Sequence, residues 1–148
     1  REVGAAAQPV QIATETAIVD FDRGEDGLLH ILGRGERKVR IVSSRVQDDQ
    51  LLLGTVTELP PEADTALGGE HAHLGSLLQD IVGQIGAPWA ELAIDYASAA
   101  DVGGRLTELL PLPPAAKLQL LLLDDPGQRV AALAAMLEQA RGDADPAD

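Results

Sequence analysis

The chain has 148 residues, 45% of them hydrophobic and 2% aromatic, with a formal net charge of −13. That length supports one substantial core or two small ones. The acidic excess repels phosphate backbones, and Phe21, Trp89 and Tyr96 are the whole aromatic stock, so nucleic acid is disfavoured as a partner. The charge is uneven: residues 1–60 hold seven Lys/Arg against ten Asp/Glu, whereas residues 61–148 hold four against fourteen. With no cysteine in the chain, disulfides and thiolate metal sites are excluded, in keeping with a reducing compartment. The most apolar run, residues 118–123, is far shorter than the ~20 residues that cross a bilayer. The opening REVGAAAQPV lacks a basic region followed by an apolar one. These features predict a soluble, cytoplasmic protein with no membrane partner.

The first third reads as strands. VQIATETAIVDF alternates in part and carries Ile, Val and Thr, and it ends in the turn formers DRGEDG. GLLHILG is a short apolar strand. RGERKVRIVSS follows, with Arg37, Val39 and Ile41 on one side and Lys38, Arg40 and Val42 on the other. VQDDQ reads as a turn and LLLGTVTEL as a further strand. Short strands at this spacing predict an antiparallel sheet or a small barrel.

LPPEADTALGG marks a boundary, after which the period changes. Apolar residues at 74, 77, 78, 81, 82 and 85 trace one stripe of a helix. Trp89, Leu92, Ala93 and Tyr96 repeat the pattern, with Pro88 suited to a first helical turn. Asp101 reads as the N-cap of a helix that turns Val102, Leu106, Leu109 and Leu110 inward and stops before Pro111. Pro113 and Pro114 open a helix through Lys117, Leu118, Leu121 and Leu122. Asp125-Pro126 starts a last one lined by Val130, Leu133, Ala134 and Leu137. The organisation expected is a β-rich part over 1–60, a linker over 61–70, a helical subdomain over 71–141 and an acidic disordered tail over 142–148.

Two regions, in this order, resemble the Lon N-terminal domain family, the substrate-binding domain of ATP-dependent Lon proteases, and especially its small stand-alone bacterial members. The first is ATETAIVDFDRGEDGLLHILGRGERKVRI, where Ile18, Val19, Asp20 and Phe21, then Gly27, Leu28, Leu29 and Ile31, then Gly35, Arg37, Arg40 and Ile41 carry the match. The second is LTELLPLPPAAKLQLLLLDDPGQRV, through Leu106, Leu110, Pro111, Leu112, Lys117, Leu120, Leu121, Asp125, Arg129 and Val130. Val39 stands where the family has Phe, and Gly4 to Gln8 is looser than the family's continuation. The family's opening "P-L-F-P-L" strand precedes the point where this sequence starts, so the chain is read as N-terminally incomplete. The resemblance implies an α+β fold, a PUA-like antiparallel β-barrel subdomain followed by a C-terminal α-helical bundle. It also implies structural roles for Phe21, Gly35, Arg37, Ile41, Leu110, Pro111, Leu112, Lys117, Leu121 and Arg129.

Catalytic patterns are missing from the sequence. There is no G-x-x-x-x-G-K-[ST] phosphate loop and no G-x-S-x-G elbow, and Lys38 and Lys117 are the only lysines available for a Ser–Lys dyad. Glu70, His71 and His73 form the best metal-like cluster, but histidines two apart diverge on a helix, and a solvated lead-in to Leu74 is the plainer reading. Asp48-Asp49 and Asp124-Asp125 read as turn and cap residues. The cations Arg34, Arg37, Lys38, Arg40 and Arg45 form a possible partner-contact patch, set against a plain solvated strand face. No catalytic residue, cofactor or metal is expected. The function expected is a non-catalytic module in protein quality control that binds unfolded polypeptide or a protease or chaperone partner. The alternatives are an RNA-binding PUA-like domain and a structural or oligomerisation protein.

Overall fold

The computed structural model describes residues 10–87 and 89–144. Pro88 and the opening and closing residues, 1–9 and 145–148, lie outside the described residues, and with them the readings made at Pro88, at Gly4 to Gln8 and at the end of the tail. The chain divides into two compact units, residues 1–61 and 62–148.

The first unit is an antiparallel sheet in the order β1-β2-β3, built from β1 (Ile12–Arg23), β2 (Leu29–Val46) and β3 (Leu52–Glu58). Its turns fall where the sequence places them. At the first, Gly27 takes a φ of 78° that L side chains rarely adopt, and the Asp26 carboxylate accepts the Leu28 amide at 2.9 Å. At the second, the Asp49 carboxylate accepts the Leu51 amide at 3.0 Å, and Gln50 takes a φ of 70°.

One expectation changes here. Residues 27–33 and 34–44, read as separate strands, join in the 18-residue β2. Gly33 and Gly35, which resemble a break, lie opposite Ile18 and Thr16 of β1. A Cβ at Gly33 would come within 2.6 Å of the Thr16 methyl, so this glycine makes room within a ladder. Register shifts near Glu15/Thr16, Ile18/Asp20 and Ile41/Ser43 bend the strands. The fold is α+β as expected, and among the described residues the sheet has three strands, with β1 and β3 at its sides.

The second unit holds a 3-10 turn at Gly69–His71, then α1 (Ala72–Ile85), a 3-10 turn at Trp89–Glu91, α2 (Ala99–Leu109), α3 (Pro114–Leu122) and α4 (Pro126–Ala144). Its core is Leu74, Leu78 and Val82 of α1, Val102 and Leu106 of α2, Leu120 of α3, and Val130, Leu133 and Ala134 of α4. The three-and-four spacing in α1 and α4 therefore turns inward as predicted. α4 runs on to Ala144, into the stretch expected to be tail.

Three local readings are corrected. Residues 89–96 hold one 3-10 turn, Trp89–Glu91, rather than a helix. Gly86, with a φ of 76°, ends α1, and the cap at Ser98 begins α2. The α2 N-cap is Ser98, not Asp101. The Ser98 hydroxyl accepts the Asp101 amide at 3.4 Å, while the Asp101 carboxylate accepts the Asp95 amide at 2.8 Å. In α3 the buried leucine is Leu120, and Leu122 is 49% exposed.

The Asp125 cap holds: its carboxylate accepts the Gln128 amide at 2.9 Å, and Pro126 follows at the first helical position. Asp125→Ala should cost about 1 kcal/mol in denaturant melts. Gly75 sits where α1 meets the loop before α2, and a Cβ there would lie 2.6 Å from the Tyr96 carbonyl oxygen. Gly75→Ala should therefore destabilise by ~1–3 kcal/mol, although alanine is the better helix former in isolation. Thermal unfolding of that variant checks the sign.

Candidate functional site

The sheet presents apolar surface that a folded unit ordinarily hides. Register partners share a face, so Ile18, Phe21, Leu29 and Ile31 line one side of the β1–β2 hairpin and Asp20, Asp22, His30 and Leu32 the other. Phe21 is 71% exposed and Leu29 67%. Along β2 and β3 a second apolar row contains Ile41, Val46, Leu52 and Val56, with Gly54 as a gap. Among the described sheet residues only Ile12 and Val39 are buried hydrophobics.

The two edges differ. β1 carries Glu15, Asp20, Asp22 and Arg23, and its pairing is broken by two register shifts. Such charges and bulges are what natural edges use to repel added strands. β3 reads LLGTVTE, with no charge before Glu58 and no proline. Its backbone orientation follows from two bonds. The Leu59 amide donates to the Lys38 carbonyl at 2.9 Å, and the Gln47 amide to the Leu51 carbonyl at 2.8 Å. With the register, this makes Arg40–Thr57 and Arg45–Leu53 the hydrogen-bonded pairs. The amides and carbonyls of Leu52, Gly54, Val56 and Glu58 therefore point outward from the sheet.

The basic patch separates into distinct environments. Arg37 is engaged by Glu15 through its Nε and by Glu58 through its NH1 at 3.1 Å. Its pKa is raised, chiefly by the hydrogen bond to Glu15. Arg34 lies 3.7 Å from Glu36. Lys38 is half-buried. Arg40 and Arg45 are exposed, have no carboxylate partner among the described residues, and share a face with Thr57 and Leu53 of β3. A cavity of about 250 Å³ at the β2 bulge is lined by Ser43, Ser44, Arg45, Leu53, Gly54 and Thr55.

In the helical unit the residues singled out earlier act on the backbone. Arg129 is 4% exposed. Its Nε donates to the Leu120 carbonyl at 3.1 Å and its NH2 to the Leu123 carbonyl at 2.7 Å. Both terminal nitrogens grip the Glu62 carboxylate, NH1 at 2.7 Å. The guanidinium thus satisfies carbonyls at the end of α3 and ties down the start of the unit. Lys117 donates to the Glu108 carbonyl near the end of α2 at 2.8 Å. Leu110, extended before Pro111, and Leu112 pack on the core, and Leu121 is half-buried.

The remaining candidates do not assemble. His71 lies 3.6 Å from Glu70, and His73 contacts the Glu70 carbonyl at 3.2 Å. No group of three metal-ligating side chains forms among the described residues. No helix among them is long and apolar enough to cross a membrane.

No protein-family model matches the chain, and no curated protein matches it. Solved structures do. A Lon N-terminal domain protein from Xanthomonas campestris aligns with a TM-score of 0.69 at 38% identity, covering 86% of this chain and 68% of that one. The N-terminal domain of the Mycobacterium avium complex Lon protease aligns with a TM-score of 0.57 at 21% identity, covering 88% of this chain and 71% of that one, a likeness of fold. Order of elements, motif residues and identity agree, and the chain belongs to the Lon N-terminal domain family.

Proposed function

We propose that the protein is a non-catalytic module that binds extended polypeptide, as substrate or as a segment of a protease or chaperone partner, in bacterial cytoplasmic protein quality control. The observation that carries this reading is the exposed apolar face of the described sheet, Ile18, Phe21, Leu29 and Ile31, in a chain of the Lon N-terminal domain family. Such a face offers apolar contact that is independent of a unique side-chain sequence, as capture of unfolded chains requires. In this role the sheet unit holds a polypeptide, the helical unit supplies stability, and chemistry on the bound chain belongs to other proteins.

The test is retention of reduced, unfolded polypeptides on the immobilised protein, against a neutral folded protein as control. Enrichment of the unfolded chains, lost when Phe21 and Ile31 are both changed to serine, is the expected result. Equal retention of folded and unfolded chains would end the proposal.

A further inference from the structure

We infer that the Glu62–Arg129 grip is a latch that sets the length of the joint between the sheet unit and the helical unit. This goes beyond the polypeptide-binding reading and stands without it, since both latch residues belong to the helical unit.

The joint is pinned at both ends. On the sheet side the Leu59 amide donates to the Lys38 carbonyl at 2.9 Å. On the helical side both terminal nitrogens of Arg129 hold the Glu62 carboxylate, and the same guanidinium is fixed by the Leu120 and Leu123 carbonyls. Pro60 and Pro61 are the two residues between these pins. Each proline has its φ held at about −65°. Leu59 and Pro60 each precede a proline, which biases them to extended geometry as well. Two residues so restricted make a stiff spacer.

The next pins come later in the chain. The Ala99 amide donates to the Thr65 carbonyl at 2.8 Å and the Leu67 amide to the Ala97 carbonyl at 2.6 Å. Leu67 also packs against the helical core. With the latch shut, the joint is residues 60 and 61. With it open, the joint runs over residues 60–64, and the three added residues extend its reach by about 10 Å. Neither Ala63 nor Asp64 carries the restriction of a proline, so the stiff spacer becomes a flexible tether.

The burial of the two partners suits an opening step. The Arg129 side chain is 5% exposed and that of Glu62 24%. The carboxylate can therefore pass to water while the guanidinium keeps its two carbonyl partners. Opening releases the strap and leaves the ends of α3 and α4 in place.

The test is backbone ¹⁵N relaxation on the intact chain. In the unaltered protein Ala63 and Asp64 should have order parameters of about 0.85, falling below about 0.6 in Glu62→Ala. The tumbling of the sheet unit and that of the helical unit should diverge in the same variant. Asp125→Ala, which removes a helix cap and leaves the latch residues intact, is the control for general destabilisation and should change neither quantity. Should Glu62→Ala fail to fold, Glu62→Gln, which keeps one acceptor for the guanidinium, should show a smaller fall at the same two residues.

Unchanged order parameters at Ala63 and Asp64 in a folded Glu62 variant would overturn the inference. So would an equal fall in Asp125→Ala, or a loosened strap with no change in the relative tumbling of the units.

Discussion

Replacing Arg129 by alanine should lower the stability of the helical unit by about 3 kcal/mol. The guanidinium is 4% exposed and makes four hydrogen bonds, two of them to the Glu62 carboxylate. Its loss strands the Leu120 and Leu123 carbonyls and leaves Glu62 without these donors. The Glu62 side chain remains 24% exposed, so water recovers part of the loss, which keeps the effect at the lower end of the ~3–5 kcal/mol typical of broken buried pairs. Arg129→Lys should recover little, because an ammonium cannot reach two carbonyls and both carboxylate oxygens in one plane. Glu62→Gln should be milder, since the amide oxygen still accepts from the guanidinium. Urea denaturation followed by helical circular dichroism measures all three.

Leu106→Ala should cost about 3 kcal/mol, within the ~2–5 kcal/mol seen for buried leucines. Leu106 is 0% exposed and belongs to the cluster that joins all four helices. Nothing beside it is free to collapse into the gap, because its buried neighbours on α1, α3 and α4 are held in the same cluster. Leu122→Ala provides the contrast: at 49% exposure it should change stability by no more than about 0.5 kcal/mol. A comparable loss at both positions in the same denaturation assay would mean that the helical core is misassigned.

Local signals were legible and long-range ones were not. The stripe at Leu74, Leu78 and Val82, the Asp125-Pro126 start and the two strand-turning segments each depend on residues within a few positions of one another, so the sequence displays them directly. The Glu62–Arg129 grip spans 67 positions and has no periodic trace. Family resemblance flagged Arg129 as structural, but not the carbonyls it satisfies. The boundary drawn after Gly33 misled because a glycine that ends a strand and one that admits a neighbour's side chain look alike without the partner strand. Asp101 misled because Ser98 and Asp101 are both capping types, and only geometry shows which hydroxyl or carboxylate faces which amide. For the candidate site, the cations were visible, but their division into Arg37, engaged by Glu15 and Glu58, and Arg40 and Arg45, with no carboxylate partner among the described residues, depends on cross-strand register.

Amide hydrogen exchange, read residue by residue with and without an unfolded polypeptide, tests the central claim most directly. Binding by the sheet unit should raise protection within β1 to β3 and leave the core amides of α1 to α4 unchanged. Protection that appears only in α1 to α4 would contradict the account.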